Sequence, residues 1–249
     1  METWRPASVR SCVNGDVVGW CDCELRWPVG LQGRSIGWSG RPFRQLRQQN
    51  EFKAYIEKHF DMLPSNSTGQ MPIHSVSGHS SGGDMAVLHF VAFAASCLGT
   101  GVNAGAPYGC NLLDRPELTC GTPDIGQDWD ANGKRMTSYM VARGAAGKID
   151  PLSNMKAKRV LLFSGTKDTL VYPVVMQAVY DQFAPYVGAA TIKSVFNIPA
   201  QHAWVTTDRS DHACGYLGAP FINYCNYGLS GEVLSHVLGE TLKPAVQVS

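Results

Sequence analysis

The sequence predicts an α/β layer fold built on a mainly parallel sheet. Three observations carry that expectation. From about Gln70 onward, short apolar runs alternate with longer helical patterns, the arrangement that builds strand–helix–strand units. A glycine-bracketed turn, Gly78-His79-Ser80-Ser81-Gly82-Gly83, joins the first strand candidate to a helix. With 249 residues, 44% hydrophobic and 16% charged, the chain has enough apolar material for a sizeable core and is not a disordered tail.

Residues 1–65 read differently from the rest and form an N-terminal segment whose structure the sequence leaves open. Trp27-Pro28-Val29-Gly30 and Gly37-Trp38-Ser39-Gly40 lie in a basic, Gly/Trp-rich stretch with no clean period. One helical pattern spans residues 43–60, with Phe52, Tyr55, Ile56 and Phe60 near the spacing of a single face. Residues 66–249 hold the layered domain. There, residues 73–77 alternate apolar with polar as a strand does, and residues 85–95 are an Ala-rich, largely apolar helix. Residues 102–106 make a short buried strand and residues 159–164 a stronger one. A helix over 173–183, a strand over 191–198 and a closing helix over 231–238 follow. No internal repeat is visible.

Lysine and arginine total 21 against 20 acidic residues, a formal net charge of +1. That balance argues against broad electrostatic capture of nucleic acid or of an anionic membrane. No apolar run approaches the roughly 18 residues needed to span a bilayer. Eight cysteines are generous for a cytosolic protein and ordinary for a secreted one. Cys110 with Cys120, and Cys214 with Cys225, are close pairs in turn-rich sequence; a bridge closing such a loop contributes about 3 kcal/mol. Scattered free thiols remain the alternative. Asn66-Ser67-Thr68 is a glycosylation acceptor triplet, whereas the residues from Met1 to Pro6 contain no apolar signal-peptide core. The two indications are reconciled by expecting an extracellular protein whose natural start lies upstream of this chain.

Gly78-x-Ser80-x-Gly82 matches a nucleophile elbow, in which serine occupies a sharp strand-to-helix turn. The serine backbone is strained so that its Oγ is exposed, and the glycines two residues either side let strand and helix approach. The helix N-terminus then faces the oxyanion of an acyl transfer, with the Ser81 N–H as first donor. Such a serine needs a base and the base an orienting acid. Asp168 follows the strongest strand, in Gly165-Thr166-Lys167-Asp168-Thr169-Leu170-Val171, and His202 follows the next, in Pro199-Ala200-Gln201-His202-Ala203-Trp204. The order Ser80, Asp168, His202 is that of α/β-hydrolases. His74, His79, His89, His212 and His236 compete, but none lies on a loop after a late strand in the same way. Asp84, in the first helical turn, reads as helix-dipole placement.

At these residues the sequence resembles the extracellular poly(3-hydroxybutyrate) depolymerases, in particular fungal-type single-domain enzymes with a circularly permuted α/β-hydrolase fold. The matching runs are Val76-Ser77-Gly78-His79-Ser80-Ser81-Gly82-Gly83, Asn103-Ala104-Gly105-Ala106-Pro107-Tyr108-Gly109-Cys110, Gly165-Thr166-Lys167-Asp168-Thr169-Leu170-Val171, Gln201-His202-Ala203 and Ile222-Asn223-Tyr224-Cys225-Asn226-Tyr227-Gly228. The likeness covers residues 70–238. It implies an α/β-hydrolase-like three-layer sandwich, with Ser80 as nucleophile, His202 as general base and acid, and Asp168 orienting the imidazole. It also implies disulfides Cys110–Cys120 and Cys214–Cys225. The His-Gly-Cys loop that supplies the family's second oxyanion donor has no counterpart, since the chain contains no His-Gly pair. The fold is accordingly expected to be incomplete; Gly30, Gly33, Gly37 and Gly40 lack a preceding strand pattern, which argues against them as a replacement donor loop.

The function expected is ester hydrolysis of poly(3-hydroxybutyrate) or a related polyester through an acyl-enzyme, by a monomer, with no metal or organic cofactor. A carboxylesterase or feruloyl-type esterase acting on a small ester is the alternative enzyme, and a non-catalytic truncated homologue the alternative outside enzymology. Trp204 and Tyr108 are candidate substrate contacts, with core placement as the competing role for each. Asp128-Trp129-Asp130-Ala131-Asn132-Gly133 copies half of a calcium loop, but its twelfth position is Tyr139, so a polar surface turn is expected. Cys21-Asp22-Cys23 has no second ligand pair at zinc spacing.

Overall fold

The computed structural model describes residues 73–110, Cys120 and residues 128–241. The helix expected over 43–60, the Asn66 triplet, the glycines from Gly30 to Gly40 and Cys12, Cys21 and Cys23 lie outside that set.

Four strands, β1 (His74–His79), β2 (Cys97–Asn103), β3 (Arg159–Phe163) and β4 (Ile192–Val195), form one sheet in the order β1-β2-β3-β4. Every pair is parallel. Strand order equal to chain order, with right-handed crossovers, sends every connecting helix to the same face of the sheet. Those helices are α1 (Ser81–Ala92), α2 (Trp129–Ala145) and α3 (Pro173–Val187). A fourth, α4 (Leu229–Leu238), comes after the last crossover and covers the other face.

β3 shows why three layers result. Its side chains alternate sides with period two. Val160 and Leu162 join Phe90 and Val91 of α1, Met140 of α2, and Met176, Val179 and Phe183 of α3 in one core. Leu161 and Phe163 point the opposite way, into a second core with Leu229, Val233 and Val237 of α4. The fold is the expected α/β sandwich with helices on both faces.

β2 begins five residues earlier than the sequence suggests and ends at Asn103 rather than Ala106. Its Cys97-Leu98-Gly99-Thr100-Gly101 run looks poor as a strand, because glycine carries a backbone-entropy cost there. The glycines are there for clearance. A Cβ at Gly101 would lie 2.5 Å from Val233 Cγ1, and one at Gly99 would lie 2.1 Å from the Arg159 carbonyl oxygen and 3.2 Å from Val237 Cγ1. They make the flat seat on which α4 rests.

A second correction concerns the segment read as a polar turn. Asp128 is the N-cap of α2, and its Oδ1 accepts the Ala131 N–H at 3.0 Å. The half calcium loop is therefore a helix start, where Asp at the cap and Asp130 in the first turn suit the unpaired N–H groups and the dipole.

A small second sheet pairs β5 (Trp204–Thr206), β7 (Ile222–Tyr224) and β6 (His212–Ala213) in that order, with parallel pairs throughout. Both disulfides implied by the resemblance are formed, Cys110–Cys120 and Cys214–Cys225. The latter joins the residues that immediately follow β6 and β7. No helix among the described residues is long and apolar enough to cross a membrane.

Candidate active site

β1 ends at His79 and α1 begins at Ser81, so the strand-to-helix reversal falls on Ser80 alone. Its φ of 57° and ψ of −125° lie in territory that side chains other than glycine avoid, a strain on the order of 1–3 kcal/mol. The surroundings impose it. The Ser80 N–H donates to the Asn103 carbonyl at 2.9 Å, and the Ser80 carbonyl accepts the Asp84 N–H at 3.0 Å. A Cβ at Gly78 would stand 2.0 Å from the Gly82 carbonyl oxygen. Gly82, expected to be the second steric glycine, has no described atom within 4 Å of where a Cβ would sit. The close approach belongs to Gly83, where a Cβ would lie 2.9 Å from the Asn103 carbonyl oxygen. Asp84 does more than suit the helix dipole, since its Oδ1 accepts the Ala106 N–H at 2.6 Å and ties α1 to the loop after β2.

The loops after β3 and β4 are joined backbone to backbone. Thr166 N–H donates to the Ile198 carbonyl at 2.8 Å and Lys167 N–H to the Ala200 carbonyl at 3.1 Å. Gly165 permits this closeness, because a Cβ there would lie 2.2 Å from the Ala200 oxygen. The two loops deliver Asp168 and His202, each 4% exposed, into contact. His202 Nδ1 lies 2.9 Å from Asp168 Oδ2. Asp168 Oδ1 accepts the Leu170 and Val171 N–H groups at 2.9 and 2.8 Å. A carboxylate only accepts, so Nδ1 carries the hydrogen and Nε2 of the neutral ring keeps its lone pair, the tautomer a general base needs.

Two rings flank His202. Phe221 meets it edge-on at 6.1 Å between centroids, and His79 lies at 4.5 Å, tilted by 42°. Both His79 ring nitrogens are shut from solvent without a hydrogen bond of good geometry. Burial, followed by the neighbouring His202, pushes the His79 pKa down to about 3; Asp168 and Asn103 act the other way without prevailing. The His79 ring is therefore neutral at ordinary pH. No hydrogen bond joins Ser80 Oγ to His202 among the described residues. His79, the chain neighbour of Ser80, lays its own ring against His202.

Ser81 is the first residue of α1 and so stands at the positive end of the helix dipole. Trp204 is half-buried, with its indole N–H donating to Ser230 Oγ at 2.9 Å. Tyr108 takes the competing role, core placement. It is fully buried in the core, stacked on Tyr139, and its backbone is held at both polar atoms by the Gln182 amide at 2.8 and 3.0 Å. The competing histidines are engaged elsewhere: His74 with His89, His212 stacked on Tyr216, and His236 with the Thr191 carbonyl. Among the described residues no three His, Cys, Asp or Glu side chains gather as metal ligands.

Sequence reasoning misses Gln201 and Asn103. Gln201 Oε1 accepts from the backbone N–H of Thr169 and of His202, both at 3.0 Å, bracing the acid loop against the histidine. Its place beside His202 is the one signal the sequence offers.

Comparison with known proteins agrees with this architecture. Over 177 residues the chain is 37% identical to the poly(3-hydroxybutyrate) depolymerase of Delftia acidovorans, a match covering 66% of this chain and 33% of that protein. It is 31% identical over 170 residues to the polyhydroxybutyrate depolymerase of Talaromyces funiculosus, covering 66% and 48%. The chain is a homologue of the poly(3-hydroxybutyrate) depolymerases. Two solved structures match this depolymerase homologue with a TM-score of 0.58 and 29% identity. One is a PHB depolymerase carrying a serine-to-alanine substitution, in complex with an R3HB trimer (68% of this chain, 52% of that one). The other is the PHB depolymerase of Penicillium funiculosum (67% and 51%). No protein-family model matches the sequence. The homologue spans a third to a half of the length of the curated depolymerases it matches.

Proposed function

We propose that the chain is a serine esterase that hydrolyses the ester bonds of poly(3-hydroxybutyrate) or a closely related polyester. The observation that carries the proposal is the buried Asp168–His202 hydrogen bond beside a strained serine at a helix start. His202 Nε2 takes the proton from Ser80 Oγ as the oxygen attacks the ester carbonyl carbon. The Ser81 N–H, at the positive end of α1, holds the resulting oxyanion. Collapse breaks the ester C–O bond and His202 returns the proton to the departing alcohol. Water, deprotonated by His202, then attacks the acyl-enzyme, releasing a hydroxy acid and restoring Ser80. Formation of the Ser80–His202 hydrogen bond only on substrate binding is ordinary for such sites. Trp204, two residues beyond His202, offers an apolar wall for the acyl chain. The polyester substrate follows from the homologous depolymerases, and the two disulfides suit an oxidising, extracellular setting. The protein acts as a monomer.

The test treats residues 1–249 with a fluorophosphonate probe alongside a Ser80→Ala variant. Labelling confined to the unsubstituted chain, with turnover of hydroxybutyrate oligomers, is the expected result. Labelling that survives Ser80→Ala, or no labelling at all, removes the esterase. Turnover of aryl esters without hydroxybutyrate oligomers moves it to another substrate.

A further inference from the structure

Asn103 is the last residue of β2, and only 2% of it is exposed. It bonds Ser80 and the residue that follows His202 through different atoms. Its carbonyl oxygen accepts the Ser80 N–H at 2.9 Å, fixing the strained turn. Its side-chain Nδ2 donates to the carbonyl of Ala203, the residue after His202, at 3.0 Å across 100 positions of sequence. The backbone bond is open to any residue, but the side-chain bond is not. A planar amide that reaches this far into a dry strand end is costly unless it is paired, and an apolar residue would suit the position better if packing were its purpose. In register it pairs with His79 on one side and Phe163 on the other, so it stands between the serine strand and the strand leading to Asp168.

We propose that Asn103 is a positioning residue that sets the separation between Ser80 and His202, bracing the nucleophile turn and the histidine loop against a common point. The proposal rests on the esterase reading above. The Asp168–His202 bond orients the imidazole but does not fix its distance from Ser80; the amide strut does. Loss of the strut lets the histidine loop drift, lowering acylation while leaving the acid–histidine pair and the fold in place.

Two variants test it on the full chain. Asn103→Leu keeps the number and branching of side-chain heavy atoms and deletes the donor. Asn103→Asp replaces the donor with a group that can donate to the Ala203 carbonyl only when protonated. Fluorophosphonate labelling rates and aryl-ester kcat and KM are measured for each, together with thermal midpoints. The expected result is a fall of roughly ten-fold or more in labelling rate and kcat for Asn103→Leu, with KM within about three-fold. For Asn103→Asp, the activity ratio to the unsubstituted chain rises as pH is lowered while thermal midpoints show both proteins fully folded across that range, which separates positioning from lost structure. Labelling within about two-fold in folded Asn103→Leu, or a pH-independent ratio in Asn103→Asp, overturns the proposal; if Asn103→Leu does not fold, Asn103→Asp decides. Ser80-dependent labelling that is indifferent to Asn103 sinks this inference alone, whereas absence of Ser80-dependent labelling in the unsubstituted chain sinks the esterase reading with it.

Discussion

Asp168 and His202 sit on buried loops sewn together by hydrogen bonds, many of them through side chains, whereas Ser80 sits at the end of a half-exposed strand and is held there by backbone hydrogen bonds and backbone sterics. On the first side, Asp168 accepts three donors and Gln201 braces both loops. On the second, β1 lies at the edge of the sheet among the described residues, and its turn is set by the near-collision of Gly78 with Gly82. Hydrogen bonds can be removed singly and lose function by degrees. A steric exclusion is kept or broken, so the two sides should fail differently under mutation.

The largest break is expected at Gly78→Ala. No rotamer relieves a Cβ 2.0 Å from a carbonyl oxygen, so Ser80-dependent labelling should vanish and the thermal midpoint drop sharply. Gly82→Ala, which adds a methyl to open space, should keep the midpoint within a few degrees; equal damage from both would refute the steric account. Next is Asp168→Asn. The amide oxygen can still accept from Leu170 and Val171, but an NH₂ facing His202 Nδ1 enforces the wrong tautomer, and kcat should fall by about 10⁴ in a folded protein. Circular dichroism with ester turnover distinguishes this from unfolding.

Gln201→Leu comes third, with an expected loss of about 1–3 kcal/mol in urea unfolding as backbone donors go unpaired, and a modest fall in kcat. The smallest effect is the pH dependence contributed by His79. Its folded pKa of about 3 lies below the unfolded 6.5, so between these values the unfolded state binds the extra proton. Stability from this group is therefore lost as pH falls from 6.5 toward 3. Thermal midpoints of His79→Phe should decline less steeply below about pH 6.5 than those of the unsubstituted chain, and parallel curves would contradict the assignment.

β3 and α3 are legible in the sequence because period and length agree with their burial, and the elbow because its glycines and serine sit at fixed spacing. β2 is not, because Gly99 and Gly101 serve α4, a partner far along the chain, and such clearance leaves no local signal. α2 is hidden because Asp at a helix cap and Asp in a turn look alike until the next residues are known to coil. The strands of the small sheet are two or three residues long, too short for any period to show. Within the site, Asp168 and His202 are readable from their order after strands, while the Asn103–Ala203 bond joins residues 100 apart through one side-chain atom.

All four parallel strands run the same way, so Ser80, Asn103, Asp168 and His202 crowd onto one rim and, among the described residues, leave the opposite end of the sheet to connecting turns. That end carries Ser96, Gly147 and Gly188, the turns that feed β2, precede β3 and feed β4. Gly147 is solvent-facing, with φ of 64° and no described atom within 4 Å of where a Cβ would sit. A tether attached there would anchor the protein to a bead or film with its working rim turned outward.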